Sequence, residues 1–439
     1  MTKEEKYSIA RWAMAHALKS GAQQSSVSIY ENNSSRIDVR DKKIDKLEEA
    51  NRNNMRIALY VDNKYSSIST NRLSNKEELG RFIEEAVAGT RYLSEDEFRT
   101  LPDPELYYTG GGDDLRIMDK AFRSVDPQDK IRYAFDVESE VLGKDERVIS
   151  VTATYRDGMS GNVMVTSNGF EGDTENSYYS LVAAVSVKSG DARPESYWYE
   201  SAIFHDELVR DGVGTTALKR ALDKLGQEKI RSGKMPMIVE NRLSGRILQP
   251  LIDALNGRSI QQKNSFLIGM EGELIGSGLF TLVDDPFIVS GRGSRYFDGE
   301  GLAARKRTIV DKGVLKDYFI DTYYGKKLGM KPTSGDTTNL VFSPGDKDLE
   351  GLLAEIDRGI LVTGFNGGNS NGSTGDFSYG IEGFLVEKGR RVRPVSEMNI
   401  TGNFRQLWKM LSAVGSDVYT GSSWLMPSLV FNNVDFSGI

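Results

Sequence analysis

The chain has 439 residues, more than one hydrophobic core usually holds, so its length predicts two or three domains. Hydrophobic residues make up 38% and charged residues 27%, mean hydropathy is −0.42, and no apolar run reaches the ~18–20 residues that span a bilayer, which excludes a helical membrane protein. The net charge of −7 argues against a protein that works by neutralising phosphates, and the absence of cysteine excludes disulfides, thiolate catalysis and sulfur-bound metals.

The opening residues, Met1-Thr-Lys-Glu-Glu-Lys-Tyr7, have no apolar core of a signal peptide, and with the missing cysteines they predict a cytoplasmic protein. Thr2-Lys-Glu-Glu5 reads as a capping box, in which Thr2 accepts from a free helix N–H and Glu5 reaches back. The helix it opens carries Ile9, Trp12, Ala13, Ala15 and Leu18 mostly at helical spacing and ends at Gly21. Strand-like runs follow at 26–30, 35–47 and 55–61, and Asp62-Asn-Lys64 turns the last of them into 65–70. A second capping box, Ser74-Asn-Lys-Glu77, opens a helix through Phe82, Ile83, Ala86 and Val87. Helix, strands and helix predict an N-terminal α/β domain over residues 1–95.

Residues 92–114, with Pro102, Pro104 and Gly110-Gly-Gly112, read as a linker. Asp126-Pro127 marks a helix start, since proline at the first helical position lacks only an N–H that would be unpaired anyway. That helix runs to about Leu142. Strands are predicted at 148–155, 162–166 and 178–187, separated by turns at Asp157-Gly158 and Ser167-Asn-Gly169, and a helix over 211–224 closes a central β-rich domain, 115–228. From about Lys234 glycine becomes dense and strands short, at 237–239, 280–283, 308–311, 314–321, 359–363 and 384–388, with one helix at 244–255. This predicts an antiparallel barrel- or sandwich-like C-terminal β domain over 234–439, and an α+β fold class for the whole chain.

Few side chains offer chemistry. The two histidines, His16 and His205, are 189 positions apart and have no metal-ligand spacing; both read as structural. Asp284-Asp285 before Pro286 reads as a turn cap, with an acid/base dyad or cation site as the sharper alternative. Asp298 and Glu300 flank a glycine as in a tight turn that suits a hard cation, but no full calcium-loop pattern follows. The glycine-rich stretch 364–375 lacks the Gly-Lys-Ser/Thr ending of a phosphate loop and reads as a flexible loop between strands. Tyr178, Tyr179, Tyr197, Trp198 and Tyr199 read as sheet packing, not as a stacking platform for bases, and no nucleic-acid partner is expected.

Two segments carry a resemblance. One runs Tyr296-Phe-Asp-Gly-Glu-Gly-Leu302, Arg305-Lys-Arg-Thr-Ile-Val-Asp-Lys-Gly-Val-Leu-Lys-Asp-Tyr318, Asp321 and Lys327-Leu-Gly-Met-Lys-Pro-Thr333; the other is Asn371-Gly-Ser-Thr-Gly-Asp-Phe-Ser-Tyr-Gly380, followed by Gly383-Phe384 and Glu387-Lys-Gly389. Both resemble the C-terminal domain of the PmbA/TldD family, and with the N-terminal layout the resemblance covers nearly the whole chain. It implies one of two kinds of subunit. The TldD-like kind carries His-Glu-x-x-x-His on a helix early in the third domain and a later cysteine; the imidazoles hold zinc and the glutamate serves the metal-bound water. The PmbA-like, or TldE-like, kind lacks that motif and pairs with the first.

Aligned without gaps from Gly245, the three motif positions fall on Gln249, Pro250 and Ala254, and no cysteine exists. The resemblance therefore implies a pseudo-peptidase with no metal or other cofactor. It would partner a TldD-like zinc subunit acting on unfolded or extended peptides, held by strand addition. The family's roles are peptide maturation, antitoxin turnover and, as a candidate, modulation of DNA gyrase. The resemblance also suggests a peptide cleft lined by Asn371, Thr374, Asp376 and Tyr379 of the glycine-rich stretch. Two rival readings stand: a zinc-independent peptidase, alone or as a homodimer, using Asp284, Asp285 or Asp376, and a regulatory binding protein of DNA gyrase.

Overall fold

A computed structural model describes residues 1–439. Thr2 and Glu5 form the expected capping box at the start of α1 (Lys3–Lys19), the Glu5 N–H donating to Thr2 Oγ1 at 3.2 Å and the Thr2 N–H to Glu5 Oε2 at 2.7 Å. Then come β1 (Gln24–Arg40), β2 (Lys43–Val61), β3 (Lys64–Thr70) and α2 (Lys76–Thr90). The cap of α2 is Asn75, not Ser74: its side chain accepts from the Glu77 and Glu78 N–H groups. After a long segment follow α3 (Pro127–Ser139), β4 (Val148–Thr166), β5 (Glu171–Val187), β6 (Glu195–Ala202) and α4 (Val213–Leu222). All six strands join one antiparallel sheet in the order β3-β2-β1-β4-β5-β6, so the sheet is continuous between residues 24 and 202.

Alternation along the strands decides which face the helices cover. Val27, Ile29, Ile37 and Val39 of β1 all point one way. The first pair packs in the core with α1 and α2, the second in the core with α3 and α4. Ser26, Ser28 and Tyr30 point to the other face.

The third region contains β7 (Gly233–Val239), α5 (Asn241–Ala254), α6 (Gly257–Gln261), β8 (Leu282–Asp284), β9 (Arg307–Asp311), β10 (Val314–Leu315), α7 (Thr322–Leu328), β11 (Leu340–Phe342) and α8 (Leu349–Ala354). It continues with β12 (Arg358–Ser370), β13 (Asp376–Glu387), β14 (Arg390–Asn403), α9 (Phe404–Leu407), β15 (Leu411–Val414), β16 (Trp424–Leu425) and β17 (Leu429–Ser437). One sheet has the order β14-β13-β12-β7-β17-β15, and a further pairing of β14 with β17 closes five of its strands into a barrel. The other has the order β10-β9-β8-β11-β16. Most pairs are antiparallel; β7–β12 and β11–β16 are parallel. Odd-numbered β7 residues such as Met237 and Val239 face a large core that includes α5, while Ile238 faces Leu352 and Leu353 of α8. The fold class is α+β with a barrel-like C-terminal sheet.

Several local expectations change. The run 35–47 is broken by Asp41 and Lys42, whose φ values of 53° and 57° make the tight reversal between β1 and β2. Asp157-Gly158 is not a turn but the middle of β4; Asp157 is fully buried and its carboxylate lies 2.6 Å from Lys130 Nζ. The supposed linker is a strap packed on the third region: the Ala303 N–H donates to Leu106 O at 2.9 Å, the Tyr108 N–H to Gly301 O at 3.1 Å, and Tyr108 stacks on Tyr296.

Candidate functional site

Helix α5 is amphipathic by spacing. Ile247, Leu248, Leu251 and Ile252 face the core, while Arg246, Gln249 and Asp253 line the opposite side at helical intervals. Beyond α5, Asn256 caps α6 by accepting from the Arg258 N–H at 2.9 Å and donates to Gly335 O at 3.1 Å. These elements, with Phe319, residues 335–337 and Trp424, enclose an open groove of about 490 Å³. Gln249 lines it and donates to the Asp253 carboxylate at 2.8 Å.

The turn after β12 borders this groove. Ser373 Oγ donates to Asn264 Oδ1, a groove residue, at 2.9 Å, and a Cβ on Gly372 would stand 3.1 Å from the Asn264 carbonyl. The turn is tied internally. Asn371 Oδ1 accepts from the N–H groups of Ser373 and Thr374, and the Gly375 N–H donates to Asn371 O. The Asp376 carboxylate accepts from Thr374 Oγ1 at 2.7 Å and from Asn403 Nδ2 at 2.8 Å, and these bonds hold its pKa below the ordinary carboxylate value.

The structure thus brings Gln249 and, through Ser373, the segment of Asn371, Thr374 and Asp376 to one groove. It does not bring Ala254 or Tyr379 there. Positions 249 and 254 are five apart, about 140° around a helix of 3.6 residues per turn, so Ala254 falls in the core at 1% exposure. Pro250 is half-buried beside them. Tyr379 follows the alternation of Phe377 and Ile381 into the core and is 2% exposed, so it does not line a cleft; only Arg246, 5.1 Å over its ring, links it to the outer side of α5. The glycine-rich stretch is not a loose loop either, because β12 continues to Ser370 with a bulge at Gly368. Asn264 and Asn403 were not singled out from sequence; they lie 109 and 27 positions from their partners in the turn.

The other candidates are engaged elsewhere. Buried Asp284 accepts from the Thr338 N–H and Oγ1 and pairs with Arg307 at 3.3 Å; Asp285 pairs with Lys306 at 2.7 Å. His16 contacts Glu84 at 2.9 Å, and His205 sits between the rings of Tyr133 and Tyr179, where burial lowers its pKa.

Family models match two stretches: the PmbA/TldA metallopeptidase central domain over residues 120–225 and its C-terminal domain over 232–438. The chain belongs to the PmbA/TldD family. Among relatives, the metalloprotease PmbA homolog of Haemophilus influenzae is 29% identical over 97% of this chain and 95% of its own. The metalloprotease TldD homolog of Buchnera aphidicola from Acyrthosiphon pisum is 27% identical over 48% of this chain and 47% of its own. The crystal structure of a candidate modulator of DNA gyrase from Bacteroides thetaiotaomicron VPI-5482 is 51% identical, covers 100% of both chains and superposes with a TM-score of 0.98.

The PmbA/TldD family name implies a metal, and the groove's donors are of the wrong kind for zinc. Gln249, Asn256 and Asn264 offer neutral oxygens, and the carboxylates of Asp253 and Asp336 are joined by no imidazole or thiolate. No three His, Cys, Asp or Glu side chains converge anywhere to hold an ion. Zinc takes nitrogen and sulfur ligands in preference, so these residues do not fit it. No helix is long and apolar enough to cross a membrane.

Proposed function

We propose that this chain is the non-catalytic, PmbA-like subunit of a cytoplasmic two-subunit peptidase, paired with a TldD-like zinc subunit and shaping access for unfolded or extended peptides. The observation that carries the reading is the groove beside α5. It is formed, open and bordered by the Asn371–Asp376 turn; Gln249, which the family resemblance aligns with a zinc-ligating histidine, lines it, and Ala254, aligned with the second histidine, lies in the core. The relatives' names supply the peptidase chemistry, and the lack of an imidazole or thiolate in the groove supports a non-catalytic role for this chain. In the groove, the Asn264 amide N–H2, which the Ser373 bond to Asn264 Oδ1 leaves uncommitted, suits a peptide carbonyl, because an amide meets it without burying charge. Metal-free hydrolysis gains little support, since Asp284, Asp285 and Asp376 each already serve a cation or a hydrogen-bonded turn.

The test measures zinc content and hydrolysis of an unfolded peptide by the purified chain alone and after mixing with a TldD-like subunit. The expected result is no stoichiometric zinc and no hydrolysis alone, with activity in the mixture. Zinc-dependent cleavage by the lone chain, or a mixture no more active than the TldD-like subunit by itself, overturns the reading.

A further inference from the structure

A second cavity, of about 210 Å³, lies away from the groove, on the sheet face that the helices leave uncovered. Its floor comes from β1 and β2, its sides from β3 and the segment 99–102, and its far wall from Gly299-Glu300 and Tyr323 of α7. Its lining departs from ordinary core chemistry. The Arg99 guanidinium lies 3.4 Å over the Tyr323 ring and 4.9 Å from the Tyr65 ring, which fixes its place while leaving its N–H groups without a carboxylate or other hydrogen-bond partner. Arg56 donates from Nε to Ser67 Oγ at 2.8 Å, which leaves its terminal nitrogens uncommitted. Ser28, 7% exposed, and the Tyr60 hydroxyl add donors on the same floor. Glu300 accepts from the Thr322 N–H through Oε2 at 2.9 Å and keeps its second oxygen.

Arg56 is exposed and Arg99, Tyr60 and Glu300 are half-buried, so water serves them in the free chain; what sets the cavity apart is that two guanidiniums with no carboxylate partner and one carboxyl line a common space, which suits an occupant carrying both charges. The size limits it. The volume holds several water-sized groups but falls short of the several hundred Å³ typical of drug-sized pockets. The charges limit it further. Two guanidiniums suit a carboxylate, which they bind with paired N–H groups. Glu300 is desolvated, and burial together with nearby Asp298 and Asp321 raises its pKa to about 7; it would gain from a cation. Inorganic phosphate satisfies the arginines and leaves Glu300 opposed; a simple amine does the reverse. We propose that this interdomain cavity is a binding site for a free α-amino acid, its carboxylate on Arg99 and Arg56 and its ammonium on Glu300. The site is independent of the peptide groove and of the partner reading. It also stands where a ligand ties the N-terminal sheet to the third region, because Arg99 and Tyr323 come from the two sides.

The experiment uses the full chain and calorimetric titration with the common free L-amino acids one at a time. The matching amines without a carboxylate, the matching acids without an amine, and inorganic phosphate serve as controls. At least one amino acid is expected to bind one to one. Its amine and acid analogues, and the Glu300→Gln and Arg99→Ala chains, should each bind at least about tenfold more weakly, as loss of one charged hydrogen bond predicts. The idea is overturned if no amino acid binds, if phosphate binds as tightly, or if Glu300→Gln binds like the parent. Should Arg99→Ala fail to fold, the isosteric Glu300→Gln and the small change Ser28→Ala decide the matter.

Discussion

Glu300 shows how one side chain can carry a measurable cost. Its ordinary pKa of 4.5 rises to about 7 in the fold, first because burial penalises the charged form and then because Asp298 and Asp321 repel it. Between those values the folded chain keeps a proton that the unfolded chain has released. Stability attributable to this group therefore falls as pH rises from about 4.5 to about 7 and stays low above that. Glutamine keeps the shape and has no charge to desolvate. Glu300→Gln is expected to match the parent near pH 4.5 and to exceed it by about 1–3 kcal/mol at pH 8, read from urea unfolding at the two pH values. An equal difference at both would mean that the carboxyl is solvated in the folded chain. Asp376 is the opposite case, an exposed carboxylate whose two donors belong to its own turn and β14, so it shapes the hairpin and holds no charge in reserve.

At the scale of elements, α5 separates what a sequence shows from what it hides. Its polar stripe and apolar side follow from spacing alone, and the missing zinc donors are plain from residue identity. The reach of each position is not, because a five-residue separation turns Ala254 away from Gln249 and into the core. The same limit applied to β4. Asp157-Gly158 has turn composition, yet the pair Lys130–Asp157 and the approach of the Tyr178 ring, 2.3 Å from a Cβ placed on Gly158, hold it in mid-strand. Local signals were legible where partners are near in sequence, as in the Thr2–Glu5 box. They failed where the deciding partner lies tens of residues away, as Asn403 does from Asp376. The geometry of α5 makes a direct prediction. Gln249→His faces the groove and should leave stability within about 0.5 kcal/mol. Ala254→His must fit a ring and its polar nitrogens into the packed core and should lose about 2–4 kcal/mol. Denaturant unfolding of both, with zinc titration of the double variant, checks this; a double variant that folds normally and binds zinc tightly would show that α5 is placed otherwise.

Across the whole molecule, the six-stranded sheet and the barrel region meet along a seam with two different sides. On one, the strap 92–114 contributes aromatic packing, Tyr108 against Tyr296 and Phe297, together with Tyr323 donating to Asp96 at 2.6 Å. On the other, the contacts are ionic: Arg220 of α4 reaches Glu240 with two bonds of 2.8 Å, Lys224 pairs with Glu382, and Arg242 pairs with Glu200 at 3.0 Å. Arg220 and Glu240 are 25% and 14% exposed, between a free surface pair and a buried one. Their loss should therefore cost more than the ~0–1 kcal/mol of the first and less than the ~3–5 kcal/mol of the second. The chain crosses from α4 to β7 just beside this pair, so Arg220→Ala should loosen the crossing before it touches the barrel. Amide hydrogen exchange is expected to rise in residues 225–236 while β12 and β13 keep their protection, with about 1–3 kcal/mol lost overall. If exchange rises uniformly, the two regions unfold as one unit. If residues 225–236 do not change, the aromatic strap alone holds the seam, and the ionic side serves only to aim the two bodies at each other.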